Sequence, residues 1–500
     1  MDLAANLLLG FETALTLTNL FYCFVGVFLG TLIGVLPGIG PIATMAMLLP
    51  ITYALPPVAA LIMLAGIYYG AQYGGSTTAI LINLPGEASS VVTALDGYQM
   101  ARRGRAGPAL AIAALGSFFA GTVATLLIAA FAAPLAELAF KFGPADYFAL
   151  MVLGLVGAVV LASGSLLKAL AMILLGLVLG LVGTDVNSGA QRFAFDIPEL
   201  GDGLNFVVVA MGLFGFAEII KNLEAGTHRT TQTGHIGKLW PSREEFREAT
   251  PAVLRGTGFG AVLGVLPGGG ALLSAFAAYT LEKRLSKTPE RFGKGAVAGV
   301  AAPESANNAG AQTSFIPLLT LGLPSNAVMA LMAGAMMIHD IQPGPQVMTA
   351  NPALFWGLIV SMWIGNLMLL MLNLPLIGLW VRLLTVPYRY LYPAILLFCC
   401  IGVYSLNNNV FDVALAVFFG LLGYLFIKLG CEPAPLLLAF ILGPQMEEHL
   451  RRALLLSRGS WTTFVERPIS LGLLIVAVLL LALTLLPALA QRRKEAFVDD

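Results

Sequence analysis

The chain has 500 residues, of which 58% are hydrophobic and only 11% are charged, and its 27 basic residues balance its 27 acidic residues. Soluble domains are about 25% charged, so this composition excludes an ordinary soluble domain and predicts a protein built for a lipid bilayer. A net charge of zero gives no electrostatic reason to expect a nucleic-acid partner.

Apolar stretches of membrane-spanning length recur along the chain. They cover residues 15–37, 109–133, 146–163, 166–183, 204–220, 353–380, 393–429 and 468–490. Because one crossing needs roughly 20 residues, the sequence predicts an all-α integral membrane protein with on the order of 10–12 transmembrane segments. The first basic residue is Arg102, so the N-terminus lacks the basic region of a cleaved signal peptide, and we expect its first apolar segment to stay in the membrane.

A glycine- and proline-rich phrase occurs twice. The letters GVLPGIG at 34–40 return as GVLPGGG at 264–270, which is 230 positions later. Irregular backbone survives in a membrane only where it is buried in protein or lines a wet cavity. We therefore predict hairpins or broken helices at 34–41 and 264–270 beside a translocation path, whereas the simpler alternative is tight helix packing through small residues. Each copy has a proline that removes a backbone donor and two glycines that allow close approach: Pro37, Gly38 and Gly40, and Pro267, Gly268 and Gly270.

A second, more polar phrase follows each copy, at 70–90 and 304–326. The letters GAQ at 70–72 run on to NLPG at 83–86, and GAQ at 310–312 run on to LPSN at 323–326. The shift is 240 positions at GAQ and 239 at the Leu-Pro pair, which suggests one small insertion or deletion. Segments broken by Gly and Pro at matching places in two halves indicate a secondary transporter and the position of its binding site.

The second phrase combines the ligand types that an anion and a cation need. A helix that restarts after Pro85 or Pro324 offers free N–H groups and a positive dipole end, which suit a carboxylate. Side-chain oxygens and unwound carbonyls suit a hard cation such as sodium, although Ser and Thr also bond their own helix backbone. The predicted substrate-binding residues are Pro85, Gly86, Ser89, Ser90, Pro324, Ser325 and Asn326. The predicted coupling-ion residues are Thr77, Thr78, Asn83, Asn307, Asn308, Thr313 and Glu304, of which Glu304 is the best candidate because intramembrane acids are usually functional.

Lys and Arg cluster in a few segments, as they do in cytoplasmic loops. The clusters lie at 102–105, between 221 and 255, at 283–294 and at 492–494. The flanks of the GVLPG phrase lack positive charge in the first half and are basic in the second. This swap predicts two inverted-topology repeats, 1–221 and 251–500, joined by a cytoplasmic connector at 222–250, while a parallel repeat stays open.

The sequence has none of the zinc-helix, nucleophile-elbow or phosphate-loop motifs. We therefore expect no enzyme activity, no structural metal and no cofactor except a coupling cation, Na⁺ or H⁺. Two other classes stay open. A passive anion channel would fit the hairpins, although no charged ring marks a selectivity filter. A membrane-embedded enzyme or scaffold subunit would need a nucleophile–base or metal set, and the chain has four histidines.

The motifs at 34–41, 69–78, 83–87, 96–97, 303–309 and 321–325 resemble the large membrane subunit of the tripartite tricarboxylate transporters, the TctA family, over nearly the whole chain. The resemblance implies a multi-pass carrier of the bacterial inner membrane. It also implies two partners, a small transmembrane subunit and a periplasmic solute-binding protein that delivers substrate. The implied function is import of citrate or a related carboxylate by symport with sodium or protons. We expect transport to involve movement of one helix bundle against the other.

Overall fold

The computed structural model describes residues 3–36, 40–83, 85–161, 165–185, 188–224, 238–266, 270–383 and 388–485. These residues are almost entirely helical, as the composition predicts. Their α-helices are α1 Leu3–Ala14, α2 Leu17–Val35, α3 Pro41–Thr52, α4 Pro57–Ile82, α5 Val91–Arg102, α6 Ala106–Ala139, α7 Pro144–Leu161, α8 Leu166–Gly180, α9 Phe206–Ala210, α10 Ala217–Glu224, α11 Arg243–Val265, α12 Gly270–Leu285, α13 Ala298–Thr313, α14 Phe315–Leu321, α15 Ala327–Ile338, α16 Gln346–Ala350, α17 Pro352–Asn373, α18 Ile377–Leu383, α19 Tyr388–Asn407, α20 Val410–Lys428, α21 Pro433–Leu456, α22 Thr463–Glu466 and α23 Pro468–Leu485.

The other regular elements are short. Two strands, β1 Gly183–Thr184 and β2 Gln191–Arg192, pair antiparallel with Gly183 opposite Arg192. Three 3₁₀ turns cover Ala88–Ser90, Pro198–Leu200 and Pro289–Arg291. A π-helical turn, Met211–Phe216, joins α9 to α10 and makes one helical run from Phe206 to Glu224. The prediction of an all-α membrane fold is therefore confirmed.

Among the described residues, five helices are long and apolar enough to cross a membrane: Leu17–Val35, Ala106–Ala139, Phe206–Glu224, Pro352–Asn373 and Val410–Lys428. Shorter apolar helices accompany them, so the total of 10–12 crossings stays a prediction. The apolar stretch predicted at 393–429 is two helices, α19 and α20. They separate because Asn408 takes a left-handed conformation and the Asn409 side chain caps α20 by accepting from the Phe411 N–H.

Glycines let two helix pairs pack backbone to backbone. In the first half, three glycines of α2 face main-chain carbonyls of α4 so closely that a Cβ would overlap the oxygen: Gly26 on Met63, Gly30 on Ile67 and Gly34 on Ala71. In the second half, three glycines of α11 face α13 in the same way: Gly256 on Ala302, Gly260 on Ala306 and Gly264 on Gly310. Small residues at helix contacts are the usual means of such close approach in membranes.

These contacts fix how the two halves correspond. The glycines of the two sets lie 230 positions apart and their carbonyl partners lie 239 apart. The offset of 240 taken from the GAQ letters is therefore one residue out, because Ala71 rather than Gly70 occupies the place of Gly310. One offset of 239 runs from the α4 and α13 contacts to the Leu-Pro segments, with no insertion between them. Whether the two halves are inverted in the membrane stays a prediction.

Ion pairs connect two of the basic segments to the first turns of α11. Arg105 lies 2.6 Å from Glu245, and Arg291 lies 3.3 Å from Glu248. Residues 243–250 of the predicted connector form the first turns of α11. Three of the basic clusters thus share one end of the molecule, which is what the prediction of a common cytoplasmic side requires; the fourth cluster, 492–494, lies outside the described residues.

Candidate functional site

A cavity of about 360 Å³ lies where the two repeated segments of the sequence meet. Residues of both halves line it, as the sequence predicts for the binding site of a two-repeat carrier. The predicted site residues in its wall are Gly40 and Ser89 from the first half and Gly270, Ser325 and Asn326 from the second. The tips of the two predicted hairpins, Pro37, Gly38, Pro267 and Gly268, lie outside the described residues.

Helix starts surround this cavity. The first residues of α3, α12 and α15 line it, and so do Ala88 and Ser89 of the 3₁₀ turn that leads into α5. Ala434 of α21 also lines it, between Pro433 and Pro435, which have no N–H to offer. The first N–H groups of a helix have no partner within the helix, and the macrodipole places a partial positive charge there. Helix starts of this kind are favourable positions for an anion.

The charged side chains in the wall are negative, opposite in sign to the positive ends of the helices. Glu87, Glu218 and Glu432 line the cavity, and none of the described lining residues is Lys, Arg or His. Lys221 lies 3.3 Å from Glu218, outside the wall. The wall thus combines helix starts, which favour negative charge, with acidic side chains, which favour positive charge.

In the second-half segment, at 322–326, the start of α15 lines the cavity. Helix α14 ends at Leu321 because Gly322 is left-handed, with φ of 73°. Pro324 and Ser325 are buried, and the Ser325 hydroxyl donates to the main-chain oxygen of Ser314 at 3.4 Å. The Asn326 side chain caps α15 by accepting from the Met329 N–H at 3.0 Å. This capping oxygen is neutral, so the positive end of α15 remains available to an anion.

In the first-half segment, at 83–90, a carboxyl group of the chain occupies the helix start. Glu87 is buried and accepts hydrogen bonds from the N–H of Ser89, at 3.1 Å, and from its hydroxyl. The Ser90 hydroxyl donates to the main-chain oxygen of Glu87 at 2.8 Å. Pro85 is half-buried, and buried Gly86 fits against the carbonyl of Gly34, where a Cβ would overlap it. A carboxylate of the chain itself therefore occupies the helix start that the sequence assigns to substrate.

Glu304 lies in a second polar cluster, away from the wall of the cavity. It is fully buried, and its carboxyl oxygens accept from the hydroxyls of Ser76, at 2.6 Å, and Thr93. The Asn308 amide donates to Ser117 Oγ at 2.8 Å and to the main-chain oxygen of Glu304 at 3.1 Å. The sequence predicts Glu304 and Asn308 but misses Ser76 and Thr93, because their contacts join residues 228 and 211 positions apart.

The seven predicted coupling-ion residues do not form one coordination shell. Thr77 lines a space of about 10 Å³ beside Glu304, and the Asn307 side-chain oxygen accepts from Asn308 at 2.5 Å. The others lie elsewhere: Thr78 donates to the main-chain oxygen of Gly75, Thr313 donates to that of Ala309 and packs against Gly264, and Asn83 is exposed at the end of α4.

Asn83 has a structural counterpart that explains its position. It adopts a left-handed conformation, with φ of 56°, immediately after α4. Gly322 lies 239 positions later and ends α14 in the same conformation. Asn is the non-glycine residue that tolerates this conformation best, and helices commonly end with it. The backbone conformation of Asn83 therefore supports a helix-ending role, and its role in ion binding stays a prediction.

Apolar helices of spanning length, broken segments in two matching halves and an internal polar cavity are features of a membrane transporter. The chain belongs to the tripartite tricarboxylate transporter TctA family, whose family model matches residues 20–438. It is thus a multi-pass membrane protein of a transporter family, in which the large subunit works with partner subunits.

Two Agrobacterium vitis proteins are similar to the chain. One is described as an uncharacterized 52.8 kDa protein in the TAR-I ttuC' 3' region, and it is 62% identical over 500 residues, which cover all of both chains. The other is described as an uncharacterized protein in the TAR-II ttuC' 3' region, and it is 61% identical over 241 residues, which are 48% of this chain and all of that relative. No solved structure matches the chain.

Proposed function

We propose that the chain is the permease subunit of a binding-protein-dependent symporter that imports a tricarboxylate or related carboxylate, such as citrate, across the bacterial inner membrane. A small transmembrane subunit and a periplasmic solute-binding protein would complete the carrier. The observation that carries this proposal is the set of helix starts around one cavity without a basic side chain in its described wall. Several helix starts around one space could each hold one carboxylate of such a substrate through backbone N–H groups.

The start of α15 is the best position for one carboxylate of the substrate. Ser325 and Asn326 line the cavity there, followed by the first helical residues Ala327 and Val328. A helix start stabilises an anion by about 0.3–1 kcal/mol at an exposed site and up to about 2 kcal/mol when partly buried. The starts of α3 and α12 would hold the other carboxylates, so several modest attractions would add up to useful affinity.

The acidic side chains provide a reason for symport. A substrate with several carboxylates would enter a cavity whose wall already contains the buried Glu87, which none of the described Lys, Arg or His residues pairs with. Like charges in a desolvated site repel each other strongly. Cations or protons that enter with the substrate would reduce this repulsion, and their gradient would drive accumulation. Movement of one bundle against the other would then carry substrate and ion together.

Uptake of labelled carboxylates tests the proposal. Cells without their own carriers would express the chain with its small subunit and binding protein, and a sodium or proton gradient would be imposed. We expect accumulation that depends on the binding protein and on one gradient. Equilibration without accumulation would identify a passive channel instead. Accumulation without the binding protein would identify a self-sufficient carrier.

A further inference from the structure

Glu304 is a buried acid without a basic partner. It is fully buried on α13, and no Lys, Arg or His of the described residues forms an ion pair or hydrogen bond with it. Arg255, on the neighbouring helix α11, is directed to Glu282 at 2.5 Å. An unpaired buried carboxylate costs roughly several kcal/mol, and a protonated acid avoids this cost.

If Glu304 were charged, the single hydrogen of the Ser76 hydroxyl could not serve both of its acceptor contacts. The Ser76 oxygen lies 3.0 Å from the main-chain oxygen of Gln72 and 2.6 Å from Oε2 of Glu304. A hydroxyl has one hydrogen and can donate to only one of these acceptors. If Oε2 is protonated, it donates to Ser76 Oγ, and Ser76 donates to the Gln72 carbonyl. Both contacts are then hydrogen bonds, with Thr93 donating to Oε1.

The same contacts give both carboxyl oxygens a hydroxyl partner from the chain. The hydroxyls of Ser76 and Thr93 contact the carboxyl oxygens directly. The adjoining space of about 10 Å³, lined by Thr77 and Ser117, has the size of about one water molecule.

We propose that Glu304 is the proton-binding site of the carrier, neutral in this conformation, and that it carries the coupling proton. This assignment rests on the import proposed above and names its ion. During one cycle the O–H bond of Oε2 breaks and the proton passes to water on the cytoplasmic side. The empty carboxylate then takes a proton from water on the periplasmic side, so one proton enters per turnover and Glu304 is regenerated.

The other ionisable groups near Glu304 do not replace it as the proton site. Tyr73 on α4 is a phenol whose hydroxyl donates to Asn366 at 3.3 Å. Asp96 on α5 accepts from the N–H groups of Gly295 and Ala296, at 2.7 Å each, and from Tyr279. Glu87 lines the substrate cavity, and the Ser89 hydroxyl contacts both Glu87 and, at 2.9 Å, the Gln72 side-chain amide. This amide can turn and donate to Ser89, so the contact does not require a proton on Glu87, whereas the main-chain oxygen beside Ser76 can only accept. Glu282 on α12 is paired with Arg255. The remaining basic residues on the surrounding helices are exposed or paired: Arg102, Arg105, Arg243, Arg247, Lys283 and Arg284.

The test compares Glu304→Gln with wild type in proteoliposomes that hold the chain, its small subunit and its binding protein, with labelled citrate as the probe. Gln resembles the protonated acid, so Glu304→Gln should exchange citrate across the membrane while its accumulation driven by a proton gradient falls at least tenfold. Glu282→Gln is the matched control, because this buried acid is paired with Arg255 and should leave proton-driven accumulation in place. Proton-driven accumulation by Glu304→Gln at the wild-type level would overturn the assignment.

Two further measurements keep the assignment testable if Glu304→Gln does not fold. Thr93→Val removes a donor to the carboxylate form, so the midpoint of the pH dependence of uptake should move upward by about one pH unit. An unchanged midpoint would contradict a titrating Glu304. Infrared spectra of the purified wild-type membrane subunits should contain a protonated carboxylic acid band that shifts in Thr93→Val, because Thr93 donates to Oε1. The absence of such a band would refute the neutral acid without any transport assay.

The outcomes separate this inference from the import proposal. If a sodium gradient alone drives citrate accumulation by the wild type, the carrier is confirmed and the proton site is refuted. If neither gradient drives accumulation of any labelled carboxylate, the import proposal fails. The infrared band then decides separately whether Glu304 is protonated.

Discussion

The two Leu-Pro segments occupy equivalent places in the two halves, but they differ in the charge of the side chain that caps the following helical turn. Glu87 and Asn326 lie 239 positions apart, and each caps the helical turn that follows it. In the first half the capping group is a carboxyl group of the chain, whereas in the second half it is a neutral amide. The duplicated scaffold thus provides two helix starts, but only the one at α15 remains available to an anion from outside.

The glycine contacts show what both halves retain despite this difference. Gly260 of α11 lies against the main-chain oxygen of Ala306, as Gly30 of α2 lies against that of Ile67, whereas Gly258 of α11 has open space around it. Gly260→Ala should destabilise the protein by about 1–3 kcal/mol or more, because a Cβ would overlap the oxygen and force the helices apart. This is the largest effect on stability that we predict. Gly30→Ala should behave in the same way.

Gly258→Ala is the matched control on the same helix. It should be neutral or stabilising by up to about 1 kcal/mol, because Ala favours a helix more than Gly does. Thermal unfolding of the purified variants in one detergent measures both effects. Equal melting temperatures for Gly258→Ala and Gly260→Ala would mean that backbone contact does not hold the α11 and α13 pair together.

Placing a charge on the second capping residue would make it resemble the first. Asn326→Asp keeps an oxygen that caps α15 but adds a negative charge to the wall of the cavity. We expect citrate uptake to fall by roughly tenfold to a hundredfold through a higher KM, which corresponds to about 1.4–2.7 kcal/mol of lost binding. Asn326→Ser is the neutral control, since Ser also caps helices well.

Initial rates over a range of citrate concentrations separate the two variants. A loss in Asn326→Asp that is matched in Asn326→Ser would show that the amide itself, and not the added charge, matters. Uptake at the wild-type level in both variants would remove the start of α15 from the substrate site.

Removing the charge from the first capping residue should have a smaller effect. Glu87→Gln can still accept from the Ser89 N–H but no longer repels a carboxylate. We expect citrate binding to become tighter and less dependent on the coupling cation. The citrate KM, measured at several cation concentrations, should therefore vary less than in the wild type. An unchanged dependence would mean that Glu87 is already neutral or does not face the substrate.

The sequence predicts those features that a residue imposes on its own backbone, and it misses those that depend on contacts between distant helices. Proline and glycine act on their own backbone, so the broken segments and their meeting at one cavity are predicted from the repeated Leu-Pro pairs. The contacts of Ser76 and Thr93 with Glu304 depend on how α4, α5 and α13 pack, and no local pattern encodes them. Glu87 lies within the repeated phrase, but only its fold-back onto Ser89 shows that it closes a helix start.

The residues that end α4 and α14 provide the smallest test of the comparison. Asn83 and Gly322 are both left-handed, yet Asn83 is exposed whereas a Cβ on Gly322 would lie 2.6 Å from the main-chain oxygen of Pro343. Asn83→Gly should change stability by only a few tenths of a kcal/mol, because Gly also adopts this conformation easily.

Citrate uptake by Asn83→Gly then separates the two roles of this side chain. If Asn83 only ends α4, uptake and its dependence on the coupling cation should match the wild type. The reciprocal Gly322→Asn should lower the melting temperature, because its Cβ meets the Pro343 carbonyl. A loss of cation dependence in Asn83→Gly, with an unchanged melting temperature, would restore Asn83 as an ion ligand. Equivalent helix ends would then have different functions.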